Sequence, residues 1–93
     1  MIEQVVFDFA YAVRDSIDEE CLLQLNPAEK GIEIEVVVNS SFGEKVVGRL
    51  PTPFNNIAQA RKLAELIERE LNAWNIRAYH NREQFDRVFS ITD

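Results

Sequence analysis

The chain has 93 residues, 46% of them hydrophobic and 28% charged, with three Gly and three Pro. This length and composition predict one globular domain over residues 1–93 and exclude a disordered or fibrous chain. The net charge of −6 is uneven: residues 1–35 contain nine acidic and two basic side chains (net −7), whereas residues 36–93 contain seven acidic and eight basic ones (net +1). Because nucleic-acid binding depends on clustered Lys and Arg, this distribution argues against that class of function.

Signals for targeting and for bound groups are few. No apolar run approaches the roughly 18 residues of a membrane span, and no basic start precedes an apolar segment. The single Cys21 cannot form an intramolecular disulfide. The sequence contains no glycine-rich phosphate loop, no paired His and no calcium-loop pattern. We therefore expect a cytoplasmic protein that binds no membrane, no cofactor and no metal.

The first stretch fits two periods. A helical period over residues 2–17 places apolar side chains on one arc and charged ones on the opposite arc. Strict alternation over residues 5–13 fits a strand instead, followed by a short helix that would carry Ile17, Cys21, Leu22 and Leu25. We favour the helix over residues 2–17, because its period holds over the longer window.

Two apolar stretches, residues 31–38 and 44–50, predict a β-hairpin with the five-residue loop 39–43. Pairing of Val36 with Val46 would place Glu33 opposite Arg49. The face expected to point toward the core consists of Ile32, Ile34, Val36, Val38, Val46, Gly48 and Leu50.

The clearest element is an amphipathic helix over residues 52–74, with Thr52 or Asn56 as its cap. Residues 75–81 alternate and predict a strand. Residues 81–93 fit either a helix or a strand, and we favour a helix.

These elements predict an α+β two-layer sandwich, in which two helices back an antiparallel or mixed sheet of three or four strands. The expected order is α-β-β-α-β plus a short C-terminal element. If the first stretch is a strand, the order becomes β-α-β-β-α-β, the ferredoxin-like arrangement.

Two surfaces are candidates for protein binding. On the helix interpretation Phe7 and Tyr11 are neighbours on an otherwise charged face, as expected for anchors of an interface. The alternatives are that the C-terminal segment covers them, or that they are core residues of a strand. Phe42 at the hairpin tip is a further candidate.

The second surface is the sheet face away from the helices. Its half-apolar, mixed-charge composition suits a homodimer or a protein partner, and a solvated face is the alternative. The side chains expected there are Glu33, Glu35, Val37, Lys45, Val47, Arg49, Arg77 and Tyr79. The predicted partner-binding set combines both surfaces: Phe7, Tyr11, Glu33, Glu35, Arg49, Arg77 and Tyr79.

The sequence contains no catalytic signature. His80 is the only His and has no relay partner at an identifiable spacing, and the surroundings of Cys21 should raise its thiol pKa. We expect Trp74 in the core or in an interface. The function expected is a small acidic interaction or regulatory module without enzymatic activity, which associates with itself. The alternative is an acidic inhibitor that mimics nucleic acid and binds a nucleic-acid-binding enzyme.

Overall fold

The computed structural model describes residues 2–28, 31–51, 57–81 and 83. Two helices pack on one face of a four-stranded mixed sheet, which confirms the predicted α+β sandwich. Among the described residues, neither helix is both long and apolar enough to cross a membrane. In chain order the elements are α1 (Ile2–Val13), β1 (Glu20–Ala28), β2 (Gly31–Ser40), β3 (Gly43–Pro51), α2 (Ile57–Ala73) and β4 (Arg77–His80).

The helical period prevails in the first stretch. α1 is followed by a single 3₁₀ turn, Arg14–Ser16, after which Ile17 is extended. The buried residues of α1, and the buried Ile17 after the turn, recur at spacings of three and four: Val6, Ala10, Val13 and Ile17. The ferredoxin-like alternative, which needs a strand at this place, is therefore wrong.

β1 is the strand that the sequence analysis missed. Cys21, Leu23 and Leu25 are buried on the helix side, and the residues between them face away. β1 pairs antiparallel with β2 and parallel with β4, so the strand order is β3-β2-β1-β4. The short helix considered for this region is wrong, since Cys21, Leu22 and Leu25 belong to a central strand and Ile17 is extended before it.

The hairpin of β2 and β3 forms, but its predicted register is wrong. Ser40 pairs with Gly43, so the turn consists of two residues rather than five. The Ser40 hydroxyl donates to the carbonyl of Gly43 (2.8 Å) and accepts from the backbone N–H of Phe42 (3.3 Å), and Gly43 has a φ of +109°. This shorter turn and the β-bulge described next each shift the pairing by one residue, so that Glu35 lies opposite Arg49.

A β-bulge in β3 changes which side chains face the helices. Val36 pairs with Gly48 but Val37 pairs with Val46, which leaves Val47 outside the one-to-one pairing. Val47 packs against the core and Val46 is exposed, so the predicted inward position of Val46 is wrong. The bulge thus exchanges the faces of these two valines.

α1 approaches β3 closely at Gly48. A methyl group there would overlap Val13 and would come within 3.3 Å of the Phe9 ring. A residue without a Cβ therefore allows the helix to lie against the sheet.

α2 and β4 are both confirmed, and a tight turn joins them. The N–H of Ile76 donates to the carbonyl of Leu71 (3.1 Å) and that of Asn75 to the carbonyl of Asn72 (3.1 Å). Asn75 has a φ of +64°, as in a Schellman motif. This turn leads directly from α2 into β4. The predicted caps at Thr52 and Asn56, and nearly all of the predicted C-terminal element, lie outside the described residues.

Candidate functional site

The sheet face opposite the helices is called the outer face here, and no described element lies over it. An apolar row crosses this face and is defined by strand pairing: Tyr79 pairs with Leu22, Leu22 with Val37, and Val37 with Val46. Tyr79 is 47% exposed and Val46 36%, whereas Val37 between them is buried. Apolar side chains therefore follow one another from one edge of the sheet to the other, and the accessible ones are Tyr79 and Val46 at the edges and, in part, Leu22.

A polar row of three hydrogen-bonded side chains lies beside the apolar row. Glu35 is buried, and each of its carboxylate oxygens accepts a hydrogen bond at 2.9 Å, one from Nε2 of Gln24 and the other from Nε of Arg49. These hydrogen bonds, first that of Gln24 and then that of Arg49, hold the pKa of the Glu35 carboxyl below its ordinary value. Glu35 is thus an ionised side chain whose partners come from the neighbouring strands.

Opposite charges stand at the two edges of the outer face. Arg77 lies on β4 opposite Glu20, and Glu44 lies on β3 opposite Asn39. Between these edges a shallow hollow of about 30 Å³ has Leu22, Val37 and Tyr79 in its lining, together with Glu20, Cys21, Asn39 and Glu44. Arg77 and Glu44 therefore lie at opposite ends of one row across the outer face, whereas Arg49, also on β3, is already paired with Glu35.

Most of the residues predicted on the outer face do lie there. The pairing places Glu33, Glu35, Val37, Arg49, Arg77 and Tyr79 there. It is wrong for Lys45, which pairs with the core-packed Val38, and for Val47, which the bulge turns inward. Strand β1 contributes Leu22 and Gln24, which the sequence analysis did not include.

The second candidate surface is an aromatic cluster that we call the aromatic patch: Phe7 and Tyr11 of α1 and Trp74 at the end of α2. The ring centroids of Phe7 and Tyr11 lie 6.2 Å apart, and each ring meets Trp74 edge to face, at 5.8 and 5.9 Å. Phe7 is 43% exposed and Tyr11 53%. The helix interpretation placed the first two rings correctly, and the turn after α2 adds Trp74. The C-terminal segment proposed as a cover lies outside the described residues.

Arg14 lies over the aromatic patch. Its guanidinium carbon is 4.2 Å from the centroid of Tyr11 and 4.7 Å from that of Trp74. Its Nε is 3.8 Å from a carboxylate oxygen of Asp15. One cation therefore contacts two rings and one acid.

A third group of residues forms an acidic corner at the start of β1. Asp18 and Glu19 are exposed and line two neighbouring clefts of about 440 and 570 Å³, and Glu20 lines the second of them. Arg77 is in the wall of the first cleft and Lys45 in that of the second. Within the described part of the chain, no group of three or more acidic, His or Cys side chains suits a metal ion.

His80 has a carboxylate partner that spacing did not reveal. Its Nδ1 is hydrogen-bonded to Glu68 of α2, twelve residues earlier in the chain. Neither of the two clefts has His80 in its wall. Cys21 is buried, and this burial, followed by the charges of Glu68 and Glu20, raises the pKa of its thiol to about 11. A thiol that stays protonated at neutral pH is a poor nucleophile.

Phe42 is fully exposed at the hairpin tip and does not fold back onto the sheet. It stands apart from both the outer face and the aromatic patch.

No family model matches the sequence, and neither the search of curated proteins nor the search of solved structures finds a match. The geometry of the two surfaces is therefore the basis for a functional proposal.

Proposed function

We propose that the protein is a non-catalytic, cytoplasmic interaction module that binds a second copy of itself through the outer face of its sheet. The observation that carries this proposal is the apolar row on a face that none of the described elements covers. Exposed apolar side chains such as Tyr79 and Val46, beside a row of polar side chains, are typical of a homodimer interface.

The charges at the two edges of the outer face support a symmetric dimer. Arg77 stands at the β4 edge and Glu44 at the β3 edge. A two-fold axis that runs parallel to the strands, between two stacked sheets, places β4 of one copy over β3 of the other. Arg77 of each copy then meets Glu44 of the other, and Tyr79 meets Val46, so that every contact forms twice.

The polar row also supports this interface. Both oxygens of the Glu35 carboxylate already accept hydrogen bonds from Gln24 and Arg49 within the chain. The Glu35 carboxylate therefore keeps its partners when a second copy covers this row. Burial of a charge costs most free energy when the charge has no partner, and that cost does not arise here.

Charge reversal tests both the dimer and its axis. Size exclusion with light scattering should give the wild type twice the 10.7 kDa mass of one chain. Arg77→Glu and Glu44→Arg should each shift the protein toward the monomer, because like charges then meet, and the double variant should restore the dimer. A double variant no better than either single one would refute this axis, and a monomeric wild type would refute the dimer.

A matched pair of variants separates the outer face from the rest of the surface. Val46 and Val5 are both exposed valines, one in the apolar row and the other on α1. We expect Val46→Glu to abolish the dimer and Val5→Glu to leave it intact. Thermal unfolding of both variants shows whether the fold is retained, so that lost association is not confused with lost structure.

A second candidate function is an acidic inhibitor that mimics nucleic acid, favoured by the acidic corner. Asp18, Glu19 and Glu20 are consecutive and exposed, and they line adjoining clefts. For this function we expect inhibition of at least one enzyme in a panel of purified nucleases, with a steep loss as salt is added. Neutralising the three acids to their amides should abolish that inhibition, and unchanged inhibition would exclude the corner as the binding site.

A further inference from the structure

The aromatic patch holds a guanidinium group that belongs to the chain itself. Arg14 lies over both Tyr11 and Trp74, at 4.2 and 4.7 Å from their centroids, and these two rings stand at 80° to each other. A planar guanidinium is attracted to the negative face of an aromatic ring and stacks on it. The geometry of the patch thus suits an arginine side chain.

This internal contact is open to competition. Tyr11 and Phe7 are about half exposed, and the Arg14 side chain is 37% exposed. Cation–π contacts at exposed sites are weak, so a second guanidinium that brings further contacts can replace Arg14. Arg14 would then move into solvent or stay beside Asp15.

The charges around the aromatic patch favour a basic occupant. Exposed acids lie near the rings in sequence: Glu3 and Asp8 on α1 and Asp15 in the 3₁₀ turn after it. α2 adds the half-buried Glu70, one turn before Trp74. The described cations in this neighbourhood are Arg14 itself and Arg69, which shares a small groove with Glu3 and Glu70. Displacement of Arg14 by a partner's cation keeps a positive charge among these acids.

We infer that the aromatic patch is a binding site for an arginine side chain of a partner protein, and that Arg14 occupies this site in the free chain. The site lies on the helix layer, away from the outer face of the sheet. The inference therefore goes beyond self-association and does not depend on it.

The single tryptophan makes the site directly observable. Trp74 is the only Trp in the chain, so its fluorescence reports on the aromatic patch. The probe is a peptide with three arginines spaced by Gly-Ser. Its two analogues carry lysine or the neutral isostere citrulline in place of arginine. We expect a saturable change in Trp74 emission with the arginine peptide and weaker or no change with the other two.

Three variants test the role of each side chain. Arg14→Gln should strengthen binding of the arginine peptide about threefold, because the internal competitor is gone and the site is always vacant. Tyr11→Leu should weaken it about fivefold, since one ring face is lost while the apolar bulk remains. Phe42→Leu, which changes a fully exposed aromatic residue at the hairpin tip, outside both surfaces, is the matched control and should leave binding unchanged.

Several results would overturn the inference. Equal binding of the citrulline peptide would show that no cation is recognised, and equal binding of the lysine peptide would remove the preference for arginine. Weaker or unchanged binding to Arg14→Gln would exclude displacement. If Tyr11→Leu fails to fold, NMR of the wild type decides: upfield ring-current shifts of the peptide's arginine Hδ protons support the site, and their absence excludes it.

Discussion

The two faces of the sheet differ in how far other parts of the chain cover their apolar side chains. On the inner face, Leu23 of β1 and Val36 of β2 are fully buried beneath the two helices. On the outer face, Leu22 and Val37 of the same two strands join an apolar row whose ends at Tyr79 and Val46 are exposed. One strand pair thus packs against two helices on one side, whereas none of the described elements covers its other side. This difference is the basis of the proposal that the outer face binds a second copy of the chain.

The adjacent residues Leu23 and Leu22 give the strongest test of this difference. Leu23→Ala should lower the free energy of unfolding by about 2–5 kcal/mol, because it leaves a cavity in the core. Leu22→Ala should cost about 1 kcal/mol or less, because its side chain is only partly buried in a single chain. Urea unfolding at a protein concentration low enough to dissociate the dimer measures both values.

In an association assay Leu22→Ala should have the larger effect of the two substitutions, the opposite of their order in stability. Leu22→Ala removes part of the apolar row and should raise the dissociation constant of the dimer, whereas Leu23→Ala should not while the fold persists. Equal losses of stability from the two substitutions would contradict the assignment of these leucines to a covered and an uncovered face.

Gly48 sharpens the account of the inner face. Gly48→Ala should lower the free energy of unfolding by about 1–3 kcal/mol, because the added methyl overlaps Val13. In the double variant Gly48→Ala/Val13→Ala the overlap is gone, so we expect the cost to be smaller than the sum of the two single costs. Additive costs in chemical unfolding would show that close packing of α1 on β3 is not the reason for glycine here.

Glu35 gives the smallest expected effect, and it depends on pH. The pKa of Glu35 is lowered in the folded chain, first by the hydrogen bond from Gln24 and then by that from Arg49. The stability that follows from this shift is present above the ordinary glutamate pKa and is lost as the pH falls through the lowered folded value. Glu35→Gln should therefore lower the unfolding temperature at about pH 7 and make little difference at about pH 2. An equal difference at both pH values would mean that the ionised carboxylate is not what stabilises the polar row.

Helices and fold class could be predicted from the sequence, because the periods of α1 and α2 hold over many residues. β1 could not. Leu22 and Leu23 are neighbours in β1 and point to opposite faces of the sheet, and both faces have apolar residues there. Apolar and polar residues therefore do not alternate along this strand. The apolar spacing of Cys21, Leu22 and Leu25 then resembles that of a helix.

The hairpin register depends on details that hydrophobic patterning does not carry. The hydrogen bonds of the Ser40 hydroxyl and the positive φ of Gly43 select a two-residue turn. The bulge at Val47 then shifts the pairing by one more residue. Because the side-chain period of a strand is two, this single extra residue decides whether Val46 or Val47 belongs to the outer face.

The candidate surfaces were predictable only where one element supplies them. Phe7 and Tyr11 follow from the helical arrangement of α1 alone. Trp74 joins them through the packing of α2 on α1, and Glu68 reaches His80 through the packing of α2 on β4. Such contacts between distant segments are set by the tertiary fold and leave no local pattern.

The most direct test of the outer-face dimer is an NMR measurement on a mixed sample of isotope-labelled and unlabelled chains. Filtered experiments on this sample detect only contacts between different copies. The proposed axis predicts intermolecular NOEs between the ring protons of Tyr79 and the methyl protons of Val46. Intermolecular NOEs that arise only from the aromatic patch, or none in a sample that light scattering shows to be dimeric, would contradict the account.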